Sequence, residues 1–110
     1  MFNLAIILRE SADTFPDRPA MHFDGGNMTY GELDAASDQV AEGLTAAGIR
    51  PGETVALQLP NIPQFVVAYF GILKAGGVVV PMNPLYKARE ISYCLRHSRA
   101  RTLITWAGAA

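Results

Sequence analysis

The sequence contains one cysteine, almost no net charge and no long apolar run, and each shortage excludes a class of protein. Cys94 is the only cysteine among 110 residues, so an intrachain disulfide framework is excluded and a reducing compartment is compatible. The formal net charge of −1 gives no basic footprint for nucleic acid or an anionic membrane. The longest apolar run, residues 65–73, is about half of the ~20 residues that span a bilayer.

The beginning of the chain does not resemble a targeting segment. Residues 1–8 are apolar, but no basic residue precedes them, and Arg9 and Glu10 interrupt them, unlike a signal peptide. Half of the residues are apolar and 17% are charged, which is typical of a globular chain and argues against disorder. We therefore expect a soluble, cytoplasmic protein without a transmembrane segment and without an internal domain boundary.

Residue types that often carry chemistry occur here without the partners that the chemistry needs. His22 and His97 lie far apart in the sequence with no cysteine or histidine at ligand spacing, whereas zinc needs three or four convergent ligands. Cys94 shares a predicted helix face with Ile91 and Leu95, which is typical of a small buried hydrophobe and not of a nucleophile. We therefore predict no catalytic, cofactor-binding or metal-binding residue in this sequence.

The charged side chains are interpreted as solvated helix faces. Asp34, Asp38 and Glu42 share one side of a predicted helix, but they lack the apolar surround that a general acid/base pair requires. A loose basic group follows near the end of the chain, and a solvated face is favoured there over a phosphate or headgroup site. Its members are Lys87, Arg89, Arg96, Arg99 and Arg101.

The glycines between residues 71 and 77 have the outer spacing of a phosphate-binding loop. They lack the Lys-Ser/Thr pair that grips phosphates and magnesium. They also follow a predicted helix C-terminus, where the helix dipole repels anions. Gly76 and Gly77 are therefore predicted to terminate a helix, and no dinucleotide-binding glycine fingerprint occurs in the sequence.

Local signals in the first half predict a helix, a hairpin and a second helix. A first helix is predicted from the helical spacing of Leu4, Ile7, Leu8, Ala12 and Phe15, with Asn3 as the candidate cap, and residues 16–19 end it. Strands at 20–23 and 28–30 then flank a turn at 24–27. Thr29 and Glu32 form a predicted capping box that opens a helix to about Ala47, and Gly48 provides its left-handed terminus.

The second half alternates strand and helix from residue 54 onward. A strand at 54–59 with alternating side chains precedes a nearly all-apolar helix at 64–75, for which Asn61 is the predicted cap. A buried strand at 78–82, an amphipathic helix at 87–98 and a last strand at 102–106 follow. This alternation predicts right-handed crossovers and a parallel sheet. The predicted fold is α/β, with an N-terminal helix and β-hairpin followed by a β-α-β-α-β parallel unit.

Three segments resemble the early signature segments of the AMP-forming acyl-CoA synthetases. Residues 28–33, Met-Thr-Tyr-Gly-Glu-Leu, are similar to the family's TYxEL segment. Residues 52–61 are similar to its GDxVAxxLPN strand and turn, and residues 70–84 to its LGxLKAGAVxVPLNP segment. The order and spacing of the three segments match, and the resemblance covers nearly the whole chain. Residues 83–90 resemble the bacterial fatty-acid-CoA ligase branch.

The resemblance implies that residues 1–110 are an incomplete N-terminal portion of the large domain of a longer ligase. The parent enzyme would join a carboxylic acid, in this branch a fatty acid, to ATP as an acyl-adenylate and pass it to coenzyme A, with magnesium at the phosphates. The alternatives are an aryl- or amino-acid-adenylating sister enzyme and a free-standing interaction module on the same scaffold.

In the family the phosphate loop, the ribose-binding aspartate and the catalytic lysine follow much later in the chain. No family site residue therefore falls on any position of this sequence. The resemblance implies that this fragment alone is inactive and binds no cofactor. We also expect the fragment to self-associate, as a homodimer, because its last strand leaves a sheet edge unpaired and its apolar helix lacks cover.

Overall fold

The computed structural model describes residues 4–105, which form four helices, an antiparallel hairpin and a parallel three-stranded sheet. The chain order is α1 (Ala5–Thr14), β1 (Pro19–Phe23), β2 (Gly26–Thr29), α2 (Tyr30–Ala46), β3 (Thr54–Leu57), α3 (Pro63–Lys74), β4 (Val78–Pro81), α4 (Ala88–Ser98) and β5 (Thr102–Ile104). Strands β1 and β2 form an antiparallel hairpin, and the other three form a parallel sheet in the order β4-β3-β5. The predicted α/β fold is confirmed.

Strand β3 lies at the centre of the parallel sheet. It pairs with β4 from Thr54↔Val78 onward and with β5 from Val55↔Thr102 onward. From β3 the chain moves to one side through α3 and then returns across β3 through α4. Because parallel crossovers are right-handed as a rule, the opposite directions of these two connections predict that α3 and α4 lie on opposite faces of the sheet. Residues 55–57 are accordingly fully buried, so both sides of this alternating strand are covered.

The main core lies between β3 and the helices α2 and α3. Helix α3 can approach α2 closely because Gly71 has no side chain at the crossing, where it faces Val40 and the carbonyl of Ser37. The Ser37 side chain is fully buried, and its hydroxyl donates to the carbonyl of Asp34 at 3.0 Å. The buried members of this core are Leu44, Ile49, Val55, Leu57, Leu59, Ala68 and Ile72.

The predicted capping box of α2 is present. The Thr29 hydroxyl accepts from the Glu32 N–H at 3.1 Å, and Glu32 Oε1 accepts from the Thr29 N–H at 2.9 Å. The hydrogen bond from the Thr29 backbone lowers the pKa of the Glu32 carboxyl below its usual range. Because Thr29 caps the helix, Tyr30 is already helical and does not belong to β2 as predicted.

Helices α2 and α3 end in the same hydrogen-bonded glycine motif. After α2 the Ile49 N–H donates to the carbonyl of Leu44 (3.1 Å), and after α3 the Gly77 N–H donates to the carbonyl of Ile72 (2.9 Å). The residues in between, Gly48 and Gly76, have φ values of 100° and 83°. This is the Schellman arrangement, and it confirms the predicted role of the glycines as helix terminators.

Two predictions about the second half are wrong. Asn61 does not cap α3: the capping position is Ile62, no side chain caps the helix, and Pro63 begins it with a pre-organised φ. Strand β4 is not buried but is an edge of the sheet in the described residues, and Val78 is 51% exposed. The predicted Asn3 cap and the predicted strand end at Trp106 lie outside the described residues.

Helix α1 buries a narrower stripe than its pattern indicates. Leu8 and Ala12 are buried, whereas Leu4 (48%), Ile7 (50%) and Phe15 (44%) remain exposed. Leu4 and Ile7 instead line one side of an open apolar groove of about 300 Å³. The groove is completed by Ala20, Tyr30, Leu33, Val66 and Phe70 together with Leu8 and Ser11. Within residues 4–105 no helix has the length and apolar character needed to cross a bilayer.

Candidate functional site

The residues that follow the three parallel strands meet at one buried side chain. Gln58 follows β3, Asn83 and Tyr86 lie in the turn after β4, and Thr105 follows β5. The Gln58 side chain is fully buried, and its Nε2 donates to the carbonyl oxygens of Asn83 (3.2 Å) and Tyr86 (2.9 Å). Its Oε1 accepts from the Thr105 hydroxyl at 2.8 Å. We call these four residues the carboxyl-edge cluster.

The orientation of the Gln58 amide is fixed by these partners. Backbone carbonyls can only accept, so Nε2 must face Asn83 and Tyr86, and Oε1 must face the hydroxyl of Thr105. The main chain adds a further link, because the Gln58 N–H donates to the carbonyl of Ile104 at 2.8 Å. One residue therefore holds the exits of all three strands together.

Ligands of parallel α/β sheets bind beyond the carboxyl ends of the strands, where the strand order reverses. In this sheet, of order β4-β3-β5, the reversal falls between the neighbouring strands β3 and β5. The side chain of Gln58 fills that position, and protein groups occupy both ends of its amide. In the part of the chain that the structure describes, no buried side-chain nitrogen or oxygen lacks a hydrogen-bond partner. This edge therefore presents a rigid scaffold and not a set of unpaired polar groups.

A second polar cluster lies where the end of α3 meets α2. The Lys74 side chain is only 8% exposed, and its ammonium group donates to Asp34 Oδ1 (2.6 Å), Asp38 Oδ1 (2.8 Å) and the Asp34 carbonyl (2.9 Å). Arg9 from α1 reaches the same carboxylates, at 3.2 Å and 2.7 Å. We call these four residues the ion-pair cluster, and it ties α1, α2 and α3 together.

The ion-pair cluster corrects the prediction that Asp34 and Asp38 belong to a solvated face. Their side chains are 16% and 40% exposed, because Gly71 lets α3 approach α2 and brings Lys74 over them. Glu42, the third carboxylate of the predicted face, is exposed as expected. The sequence contained a weak signal for this cluster, because Lys74 lies in the last turn of a predicted helix, where lysine side chains often bind nearby oxygens. The partners of Lys74 could not be predicted from that position, because they lie on another helix.

The cluster has the chemistry of a crosslink and not of a catalytic pair. Two cations face two carboxylates, so every charge in it is compensated by an opposite charge. The attraction of Asp34 and Asp38 raises the pKa of the Arg9 guanidinium above its already high usual value. An open cleft of about 730 Å³ lies beside Arg9, Asp38 and Lys74, and Glu42 and Thr45 complete its polar lining.

The other candidate residues lie apart from both clusters. His22 contacts Asn27 through Nδ1 and Oδ1 across the hairpin, and His97 stacks on Tyr93 with ring centres 5.2 Å apart. Cys94 is half-buried on α4. In residues 4–105 no three metal-binding side chains converge. The five basic residues of the group near the end of the chain are all exposed: Lys87, Arg89, Arg96, Arg99 and Arg101.

A comparison with protein families identifies the scaffold. The profile of the family described as AMP-binding enzyme matches residues 8–110. The chain belongs to this family. The resemblance of the three sequence segments to adenylate-forming enzymes is therefore confirmed, and the AMP-binding scaffold accounts for the hairpin, the parallel sheet and their order along the chain.

Curated proteins similar to this chain include a CoA ligase and a synthetase. The long-chain-fatty-acid–CoA ligase of Bacillus subtilis is 41% identical over 102 residues, which is 93% of this chain and 18% of the relative. Triostin synthetase I of Streptomyces triostinicus is 43% identical over 97 residues, which is 88% of this chain and 18% of the relative. The chain thus spans less than a fifth of the length of these two relatives.

Solved structures show the same AMP-binding scaffold. A benzoate CoA ligase from Burkholderia xenovorans aligns with a TM-score of 0.90 at 33% identity, over 99% of this chain and 22% of the ligase. A fatty acyl CoA synthetase from Mycobacterium tuberculosis aligns with a TM-score of 0.88 at 34% identity, over 98% of this chain and 22% of the synthetase. Similarity at this level extends to enzymes with aryl and fatty substrates alike.

Proposed function

We propose that this chain is the N-terminal portion of the large domain of an AMP-forming fatty-acid-CoA ligase. That enzyme joins a fatty acid to ATP as an acyl-adenylate, releases pyrophosphate and transfers the acyl group to coenzyme A. The family match over residues 8–110 carries this proposal, and the 41% identity to a long-chain-fatty-acid–CoA ligase supports the choice of acid.

Within that enzyme the segment has a structural role and is inactive alone. Its two buried polar clusters are engaged internally, through Gln58 at the sheet edge and Lys74 at the helix crossing. We propose that residues 1–110 contain no catalytic, cofactor-binding or metal-binding residue. ATP, magnesium and coenzyme A are bound by the remainder of the ligase, which acts in the cytoplasm.

An amino-acid- or aryl-adenylating enzyme is the second candidate. The 43% identity to Triostin synthetase I and the TM-score of 0.90 with a benzoate CoA ligase favour it specifically. The scaffold is shared by relatives of both kinds, so the acid must be identified by assay.

The assay uses the complete reading frame that encodes this chain. We expect acid-dependent release of pyrophosphate from ATP with a long-chain fatty acid, and acyl-CoA only when coenzyme A is present. Benzoate and a set of amino acids are tested in parallel. Turnover with an amino acid and no transfer to coenzyme A would favour the second candidate. No turnover with any acid would contradict both and favour an interaction module.

We also propose that the 110-residue chain self-associates as a homodimer. Within residues 4–105, strands β4 and β5 are both edges of a parallel sheet, and unpaired edge groups are a template for another chain. Pro81 lacks an N–H, which leaves β5 as the better edge for pairing. The groove beside Leu4 and Ile7 adds exposed apolar surface to the same molecule.

Light scattering after size exclusion tests this association. We expect the measured mass to rise with concentration towards twice the monomer mass of 11.9 kDa. Two substitutions locate the contact: Ile7→Glu alters the groove, whereas Ile6→Glu alters a neighbour of similar exposure (49% against 50%) that lines the separate cleft beside Arg9 and Asp38. Weaker association of Ile7→Glu alone implicates the groove. Association of both variants that equals that of the unsubstituted chain implicates the sheet edge. A monomer at all concentrations would contradict the proposal.

A further inference from the structure

Gln58, the centre of the carboxyl-edge cluster, combines two properties. Its side chain is fully buried at the centre of the sheet, and every partner belongs to a segment that leaves the sheet at the ligand-binding end. Two of the partners, the carbonyls of Asn83 and Tyr86, lie three residues apart in one turn. The third, Thr105, is the first residue after β5.

We infer that Gln58 is a positioning residue, which fixes the turn after β4 and the exit of β5 relative to β3 and so sets the geometry of the ligand-binding edge. The consequence for catalysis rests on the proposed function. Within the turn, Asn83 Oδ1 accepts from the Leu85 N–H at 2.8 Å, and the Asn83 carbonyl accepts from the Tyr86 N–H at 3.1 Å. Among the hydrogen bonds described here, those that join the Asn83–Tyr86 turn to the sheet come from the Gln58 amide.

The direction of each hydrogen bond provides a sharp test. Gln58→Glu keeps the shape of the side chain but replaces the donor that faces two carbonyl oxygens with an acceptor. Gln58→Leu removes donor and acceptor together. A matched control is Gln39→Glu, which makes the same chemical change at an exposed position of α2. Thr105→Val removes the hydroxyl that donates to Gln58 Oε1, whereas Thr105→Ser retains it.

The first measurement is hydrogen exchange of the complete protein, which does not depend on activity. We expect Gln58→Glu to speed exchange at least about tenfold for the amides of Leu85 and Tyr86, because loss of the partners opens the turn locally. Exchange in α1 and α2 should not change, and Gln39→Glu should match the natural protein. Unchanged exchange in the turn of Gln58→Glu would overturn the inference even if the protein has no ligase activity.

The second measurement is kcat/KM for acid-dependent pyrophosphate release by the ligase that contains this chain. Misplacing a site by about 1 Å can cost about a hundredfold in rate, so we expect Gln58→Glu and Thr105→Val to lower kcat/KM at least about tenfold. Thr105→Ser should retain activity, which keeps the test valid if Gln58→Glu does not fold. Variants that remain folded with the kcat/KM of the natural enzyme would overturn the positioning role. An inactive natural protein would contradict only the proposed function.

Discussion

Replacement of Gly71 by alanine is expected to destabilise the protein by about 3 kcal/mol, because the new methyl group has no space. A Cβ at this position would overlap Val40 and lie 3.2 Å from the Ser37 carbonyl oxygen. Both neighbours belong to α2, whose contact with α3 encloses the core, so the helices would have to separate to relieve the overlap. Urea denaturation followed by circular dichroism measures the loss in the free energy of unfolding.

A matched glycine in α2 should respond in the opposite direction. Gly43 is also inside a helix, but a Cβ there meets no atom within 4 Å. Gly43→Ala should therefore stabilise the protein by about 0.5–1 kcal/mol through the higher helix propensity of alanine. Adding Val40→Ala should restore part of the stability lost by Gly71→Ala, since it removes the overlapping group. Equal effects of the two single substitutions would contradict the packing argument.

The contrast among the glycines explains which parts of the fold could be predicted from the sequence. Gly48 and Gly76 terminate helices through hydrogen bonds between residues a few positions apart, so their role follows from local pattern alone. Gly71 serves a contact with a helix about thirty residues earlier in the chain, and no local pattern records that. The spacing of Gly71 and Gly76 matches the outer spacing of a phosphate-binding loop, but the role of Gly71 is to allow close packing of α3 against α2.

The same distinction applies to the strands and to the polar clusters. The run of β-branched residues correctly predicted β4, but a buried strand and an edge strand cannot be distinguished without the strand order. The periodicity of α2 places Asp34 and Asp38 away from its apolar residues and therefore predicts a solvated face. Their partner Lys74 is 36 to 40 positions away. Gln58 was likewise one polar residue in an alternating strand, and only the folded chain shows what surrounds it.

Lys74→Met is expected to have the second large effect, a loss of about 2 kcal/mol in the free energy of unfolding. Methionine keeps the apolar stem of the side chain, so the substitution removes mainly the ammonium group from Asp34 and Asp38. Breaking a fully buried ion pair costs about 3–5 kcal/mol because the remaining charge is unpaired. The cost is smaller here because water reaches Asp38, which is 40% exposed.

Arg9→Met is the control, since it removes the same charge from the same two carboxylates. Its side chain is 51% exposed, whereas that of Lys74 is 8% exposed, so solvent and salt already screen its contribution. We therefore expect a much smaller loss than for Lys74→Met, and one that disappears in about 1 M salt, where the Debye length is about 3 Å. The loss for Lys74→Met should persist at that salt concentration, because the contact is sheltered from ions. Equal losses for the two variants, or equal sensitivity to salt, would mean that burial of Lys74 does not set the strength of the ion-pair cluster.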